Sequence, residues 1–453
     1  MRQLLYTLLL IFCFTVFSCH DNPVGAENAD MQLSAVDVGV TDILLRVRVA
    51  QSNKSRVLTL KRDGQILLTS HYFGLDTTLL DTSLLPNHSY KYTANLVDYS
   101  TSWSSNVELS LTTMDTTSHD FIWHIDTLGD GGSSSLRDVA IVNDTCVFVV
   151  GEIHVRDSSG NWDPNFYNVG EWNGSRWKLH AFLFPLYNYD CTVAGYTPVQ
   201  VNTISAFGPK KVLLNGVALW NGDSLEHLPC IPPSILVRRG EITKTWGTSE
   251  NDFFVVGTKG MILHFAHGSW SWMESGTDVD LLDVWGSPDG KVVWTCGYYS
   301  SSYGTYLFRN GGSGWSLIYD GTAHEFEIHD DSLSGAYSTL YTSRSNVVYV
   351  GASAGVYRTT QDAGGAARRL SFTPTFFPGF PNRLRGNDAN DLIVVGFYNM
   401  IAHYNGSSWL YYQQFYNQDE HLFSVDVKRN LLVAVGEIYD PIDRKGLVII
   451  GRR

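Results

Sequence analysis

Two hydrophobic rhythms divide the chain. From Met31 to Thr116 apolar and polar residues alternate in short runs: DILLRVRVA, SRVLTLKRDG, QILLTSHYF, SYKYTANLVD and VELSLTTM. A period of two places successive side chains on opposite faces of a strand, and the Asp-Gly and Asn-His breaks supply turns. This stretch predicts a sandwich of short strands. After His119 a longer rhythm takes over. An apolar run closing on glycine returns as VFVVG at Gly151, VLLNG at Gly216, FFVVG at Gly257, VVWTCG at Gly297, VVYVG at Gly351, LIVVG at Gly396 and LVAVG at Gly436. Successive spacings are 65, 41, 40, 54, 45 and 40 residues. A period near forty with several short strands per unit is the signature of a β-propeller.

Each unit supplies four strands. In the third they read ITKTWG, DFFVVG, GMILHF and SWSWMES, and the sixth repeats the order. The glycine ending the second strand is expected to allow a backbone conformation that a side chain forbids. Asn-Gly suits the turn before the outer strand. Trp177, Trp270, Trp315 and Trp409, just beyond that turn, are expected to pack between neighbouring blades. The seventh unit ends without an outer strand, whereas FIWHIDTLG, Phe121 to Gly129, has the outer-strand pattern and no unit of its own. It is expected to complete blade seven and close the ring. The fold class is therefore all-β: a sandwich followed by a seven-bladed propeller. Six blades, with the weakly patterned second or fifth unit degenerate, is the alternative.

Two resemblances sharpen this picture. LLPNHSYKYTANL resembles the fibronectin type III pattern, which implies that Tyr90 closes a corner through its hydroxyl and that Tyr92 and Ala94 face the core. The tryptophan usual on the second strand is missing, so Leu44 or Leu45 replaces it. The longer repeats resemble those of bacterial exported propellers, and are similar to sialidase-type and photosystem-assembly-type propellers with Asp-box turns. TQDAGGAA keeps Thr360, Asp362 and Gly364 of such a box without its terminal aromatic. Propellers host hydrolases, lyases, oxidases and pure binders, so the resemblance implies architecture and no single activity.

The N-terminus adds a location. Arg2 precedes an apolar run from Leu4 to Phe17 that ends in Ser18-Cys19. The run is short for a membrane span and right for a signal-peptide core. Its end resembles a bacterial lipobox, which implies acylation of Cys19; a plain signal peptide is the alternative. The expected organisation is residues 1–18 signal peptide, 19–30 tether, 31–116 fibronectin-like domain and 119–453 propeller. The expected location is the cell envelope, lipid-anchored at the outer membrane or cell surface.

Composition mostly excludes. With 13% aromatic and 17% charged residues the chain is not of disordered type. The net charge is −13 and no basic run exceeds a pair, which argues against nucleic acid as a partner. Beyond Cys19 four cysteines remain. Cys146 and Cys296 sit in apolar runs. Cys191 and Cys230 lie in polar connections and are the better disulfide pair, although four cysteines allow three connectivities. No metal-ligand spacing, cofactor fingerprint or catalytic motif is present, so no catalytic residue, metal or cofactor is assigned. Asp330-Asp331 and Asp278/Asp280/Asp283 read as solvated charge, AHEFEIHDD (323–331) as a surface loop, and Arg137, Arg383 and Arg385 fall short of a sialidase triad. What stands out is aromatic: YYSSSYGTY with Tyr298, Tyr299, Tyr303 and Tyr306, LYYQQFYNQD with Tyr411, Tyr412 and Tyr416, and FPLYNYD with Tyr187 and Tyr189. Rings beside amides can stack on sugars or grip a protein. The sequence thus points to a monomeric, non-enzymatic envelope lipoprotein that binds or scaffolds a glycan or an envelope protein through propeller loops. The alternative is a polysaccharide hydrolase or lyase at the channel mouth, which would require carboxylates, Tyr or Arg converging there.

Overall fold

The structure, a computed structural model, describes residues 25–27, 30–50, 56–71, 75–232, 240–299, 304–321, 331–344, 347–360, 367–370 and 379–453. Cys19, Tyr303, the Asp-box residues Asp362 and Gly364, and all of AHEFEIHDD except Asp331 lie outside the described residues, as does the side chain of Tyr299.

The alternating N-terminal runs form two antiparallel sheets. One orders Gly25–Glu27, Met31–Val38, Asp42–Val49 and Asp76–Thr82; the other orders Gln65–Ser70, Arg56–Arg62, Ser89–Asp98 and Trp103–Thr112. Leu33, Ile43, Leu45, Leu60, Tyr92 and Ala94 meet between them, fully buried, as a period of two demands. Leu45 belongs to this core while Leu44 is half-buried. The Tyr90 hydroxyl accepts the Leu85 N–H at 2.8 Å, tying the corner before its own strand to the strand itself.

The forty-residue rhythm folds into seven four-stranded antiparallel sheets, and the chain is a seven-bladed propeller. Blade three is representative, with strands Ile242–Ser249, Asp252–Gly257, Ile262–Ala266 and Ser269–Trp272 running outward from the axis. Blade seven is composite. Its inner three strands are Glu420–Lys428, Leu431–Ile438 and Lys445–Arg452, and its outer strand is Ile122–Leu128, paired from Gly446↔Leu128 to Arg452↔Ile122. Phe121 and Trp123 then pack on Tyr412 and Phe415 from the end of blade six, with Trp123 at 4.9 Å from both rings. Both ends of the propeller sequence therefore share one sheet.

The repeated residues act through contacts between strands and between blades. The glycines ending the second strands do not serve a special backbone conformation, except Gly216 at φ +67°. Their role is close approach. A Cβ on Gly151, Gly257, Gly297, Gly396 or Gly436 would overlap the backbone oxygen of Ser135, Glu241, Asp280, Phe380 or His421, on the inner strand or immediately before it. Each of those oxygens sits beside a β-bulge, where the inner strand presses inward. At the third-to-outer turns, the Asn173, Asn221 and Asn405 side chains accept N–H bonds from residues two and three positions on. The tryptophans that follow lie against the preceding blade. Trp177 packs on blade seven and donates to Asp126, Trp270 packs with Leu213 of blade two, and Trp315 meets Phe254 of blade three at 5.7 Å. Trp409 joins Tyr341 and Val347 of blade five.

The sandwich docks on blades five and six. Arg358 donates to Asp42 at 2.6 Å and pairs with Asp37, and Arg368 also bonds Asp42. The connecting segment crosses blade six, where Thr117 bonds Asn390 and the Asn390 amide donates to Asp115. His119 then meets His403 through their Nδ1 atoms at 2.8 Å, a contact that holds one proton and not two. On the far side His403 faces Asp391, itself bound by Arg453, while Asp120 and Arg453 are the other charges near His119. Burial, and then the charge of His403, push the His119 imidazole down to about 4. A histidine depressed from 6.5 in the unfolded chain resists protonation when folded, so its contribution is complete above 6.5 and is lost as pH falls toward 4. Since His119 is only half-buried, we expect a loss of about 1–2 kcal/mol over that window. Thermal melts from pH 7 to 4 check this, and the His119→Gln chain should show a flatter acid limb.

Candidate binding face

Antiparallel blades divide the connections between two faces. Inner-to-second and third-to-outer turns lie on one face, and most are as short as 209–210 or 250–251. Second-to-third turns and blade-to-blade connections lie on the other, including 155–166, 181–203, 412–419 and 439–444. The sandwich reaches the first face through Asn390, in the inner-to-second turn of blade six. The second, loop-rich face carries the aromatic insertions.

The tyrosines singled out from the sequence divide sharply. Tyr416 is 46% exposed on this face, beside Tyr398 with ring centroids 6.2 Å apart. Tyr298 is half-buried at the end of a second strand, 6.1 Å from Phe380. Tyr306 and Tyr411 face neighbouring blades, Tyr306 in the cluster with Phe308 and Tyr411 beside Trp409. Tyr412 is not a surface residue. It is 5% exposed, and its hydroxyl donates to the His119 carbonyl at 2.7 Å. The reason is local: a 3-10 turn over Gln413–Phe415 ends the outer strand, sending Tyr412 and Phe415 into the core and Tyr416 outward.

Tyr398, which the sequence reading passed over, is the more telling residue. It occupies the second-to-third turn of blade six with Asn399, at φ +63° and +54°. A left-handed conformation is rare for a bulky residue and is held here by the Asn399 N–H bond to the Glu420 carbonyl. The turn presents Phe397 and Tyr398 outward around His421, with Phe397 edge-on to that imidazole at 5.1 Å. Tyr439 on the next blade is also exposed, with the Arg444 guanidinium over its ring at 5.2 Å. Across the face, strands Leu183–Tyr187 and Val193–Pro198 form a separate hairpin that exposes Leu186, Tyr189 and Tyr196. A disulfide joins Cys191 at its tip to Cys230 in the next connection, with Cα atoms 5.8 Å apart. Cys146 and Cys296 are free thiols, the latter buried.

Beneath this face the channel does hold convergent charge, to which Arg383 and Arg385 contribute, and the reading of Asp283 as solvated is corrected. One position per blade is polar and buried: Asp138, Lys244, Asp283, Thr339, Arg383 and Ser424 at the inner-strand bulge, and Thr203 just before the inner strand of blade two. Four of them accept the backbone N–H of the next blade. Asp138 takes Ile204, Thr203 takes Thr245, Asp283 takes Leu340 and Thr339 takes Leu384, at 2.9 to 3.1 Å. Lys244 and Arg383 cannot accept, and instead reach back two blades. Lys244 bonds Asp138, and Arg383 pairs with Asp283 at 2.7 Å. Arg385 adds a bidentate pair to Asp283 at 2.9 Å and lies 4.1 Å over the Trp285 ring. Burial alone would raise the Asp283 carboxyl; the two guanidinium charges and the Arg385 bonds outweigh it and hold it ionised. Burial lowers the Lys244 ammonium to about 8 against the pull of Asp138. Asp426, near a cavity of about 130 Å³ with Trp246 and Arg385, is raised by burial despite N–H bonds from Ile141 and Val427. The sequence did carry a signal for this ring: each member stands twelve to fourteen residues before the glycine of its repeat.

Asp283 and Asp138 take their partners from the channel wall. Asp283 has both oxygens occupied by Arg385, Thr339 and a backbone N–H, and Asp138 is filled by Lys244, Ser424 and Ile204. Chemically the ring can fasten blades. Among the described residues no group of three metal-ligating side chains converges.

Comparison with known proteins places this geometry. No protein-family model matches the chain, and no curated protein does. Among solved structures it is similar to YCF48 bound to D1 peptide, at TM-score 0.50 and 11% identity, covering 75% of this chain and 97% of that one. It is also similar to YCF48 from Cyanidioschyzon merolae, at TM-score 0.48 and 11% identity, covering 72% and 98%. At such identity the likeness is one of fold.

Proposed function

We propose that this chain is a non-enzymatic binding module of the cell envelope, carried on a lipid anchor at Cys19, and that it captures a segment of a protein partner on the loop-rich face of the propeller. The fibronectin-like sandwich serves as the spacer between anchor and propeller. The observation that carries the reading is the division of labour between polar interior and aromatic face. Asp138 and Asp283 in the channel are filled by Lys244 and Arg385, whereas Tyr398, held in a left-handed turn, and Tyr416 stand open to solvent on the face away from the docked sandwich. Exposed rings set on a rigid frame lose little entropy on binding, which is why tyrosine anchors interfaces. That a propeller of similar fold is known bound to a peptide supports the reading.

The test is retention of envelope proteins by the immobilised soluble chain, with a glycan array alongside. We expect a specific protein to be retained, and Tyr398→Ala with Tyr416→Ala to weaken its binding by about 2 kcal/mol or more, as for aromatic anchors. Retention of glycan alone would replace the protein partner by a sugar. Retention unaffected by the double substitution would remove this face from the account. The anchor is tested separately: labelled palmitate should enter the wild type and not the Cys19→Ala chain, and no label in the wild type would refute it.

A further inference from the structure

The loop-rich face also carries charge, and its sign constrains the partner. Around blades six and seven, Tyr398, Tyr416 and Tyr439 are interleaved with Asp419, Asp440 and Asp443. Two loops are locked together here, since the Tyr439 N–H donates to the Asp419 carbonyl at 2.6 Å. Asp440 is fully exposed, and the N–H groups of Ile442 and Asp443 hold its carboxyl below the ordinary range. Glu420 lies behind, bound to Asn399 and Asn417. The basic group on the same two loops is Arg444, with Lys445 opening the strand that follows, and Arg444 is engaged with Tyr439 and Glu437. The surface is thus aromatic and net acidic.

Such a surface has a defined complement. A guanidinium or ammonium is attracted both to the face of a ring and to a nearby carboxylate. The molecule already makes this contact twice on the loop-rich face, with Arg444 over Tyr439 at 5.2 Å and Arg156 over Trp162 at 3.8 Å. Tyr398 and Tyr416 offer the same chemistry to an outside cation. The whole chain, at −13, steers positive partners toward it.

Resting on the reading of this face as the protein-binding one, we infer that the captured segment is basic, with arginine or lysine side chains seated on Tyr398 and Tyr416 and paired with Asp419, Asp440 and Asp443. Phage display of random twelve-residue peptides on the full soluble chain tests it, followed by titration of the selected peptides as fluorescent probes. Selected peptides should be net positive, and raising salt from 50 to 300 mM should weaken them at least tenfold. Asp419→Asn with Asp440→Asn and Asp443→Asn should cost at least tenfold at low salt while leaving the thermal midpoint in place. Peptides that are neutral or acidic, yet lost with Tyr398→Ala and Tyr416→Ala, would overturn the basic partner and leave the binding face standing. Peptides indifferent to the tyrosine substitutions would overturn both.

Discussion

Asp283→Ala should lower the stability of the propeller by about 3–5 kcal/mol, the cost of stranding buried charge without its partner. Asp283 is fully buried and receives two guanidinium groups from blade six and a backbone N–H from blade five. Without it, Arg383 and Arg385 remain in the channel wall with no other carboxylate among the described residues in an ion pair with them. The expected readout is a fall of roughly 6–15 °C in the thermal midpoint, given the usual slope for large domains. Asp252→Ala is the control, since that carboxylate is exposed and paired only with His264, and should change little. Adding Arg385→Leu to Asp283→Ala should recover part of the loss, because the penalty lies in the uncompensated charge. A midpoint within a degree of wild type for Asp283→Ala would mean that the ring does not fasten the blades.

The second large effect concerns closure. A chain beginning at Gly131 lacks Ile122–Leu128, so the strand Lys445–Arg452 becomes an open edge and the Trp123 site against Tyr412 and Phe415 is emptied. Open edges pair with other chains, and large-to-small losses in a core cost about 3–5 kcal/mol for a tryptophan alone. We expect this chain to aggregate or melt without cooperativity, and a synthetic peptide of residues 119–130 to restore a monomer with a sharp transition. Sedimentation and calorimetry report both states. A shortened chain that stays monomeric with an unchanged midpoint would show that the ring closes without this strand.

Much of this architecture is written locally in the chain, and the rest is not. The recurring glycine is visible because close approach of two backbones tolerates no Cβ, and that demand repeats in five of the blades. Tyr90 is visible because a corner uses one hydroxyl at a fixed offset. Asp283 was misread for a physical reason. Alternation says that a side chain leaves one face of a strand, but only the closed ring determines that this face is buried against the charges of other blades. Lys244 and Asp138 are 106 residues apart and meet only across the axis. Tyr412 and Tyr416 illustrate the same limit at short range, since one turn of 3-10 helix sends one ring inward and the other outward. Tyr398 was invisible because its exposure depends on a left-handed turn that a single tyrosine codon does not announce.

The placement of function on the loop-rich face can be tested without knowing the partner. A photo-crosslinking phenylalanine analogue is placed in turn at Tyr398, Tyr416, Lys210 and Asn251 in cells that make the chain, the last two lying in tight turns of the opposite face. After irradiation, a discrete larger adduct is expected from Tyr398 and Tyr416 and none from Lys210 or Asn251. Adducts from the tight-turn positions, with none from the two tyrosines, would contradict the account.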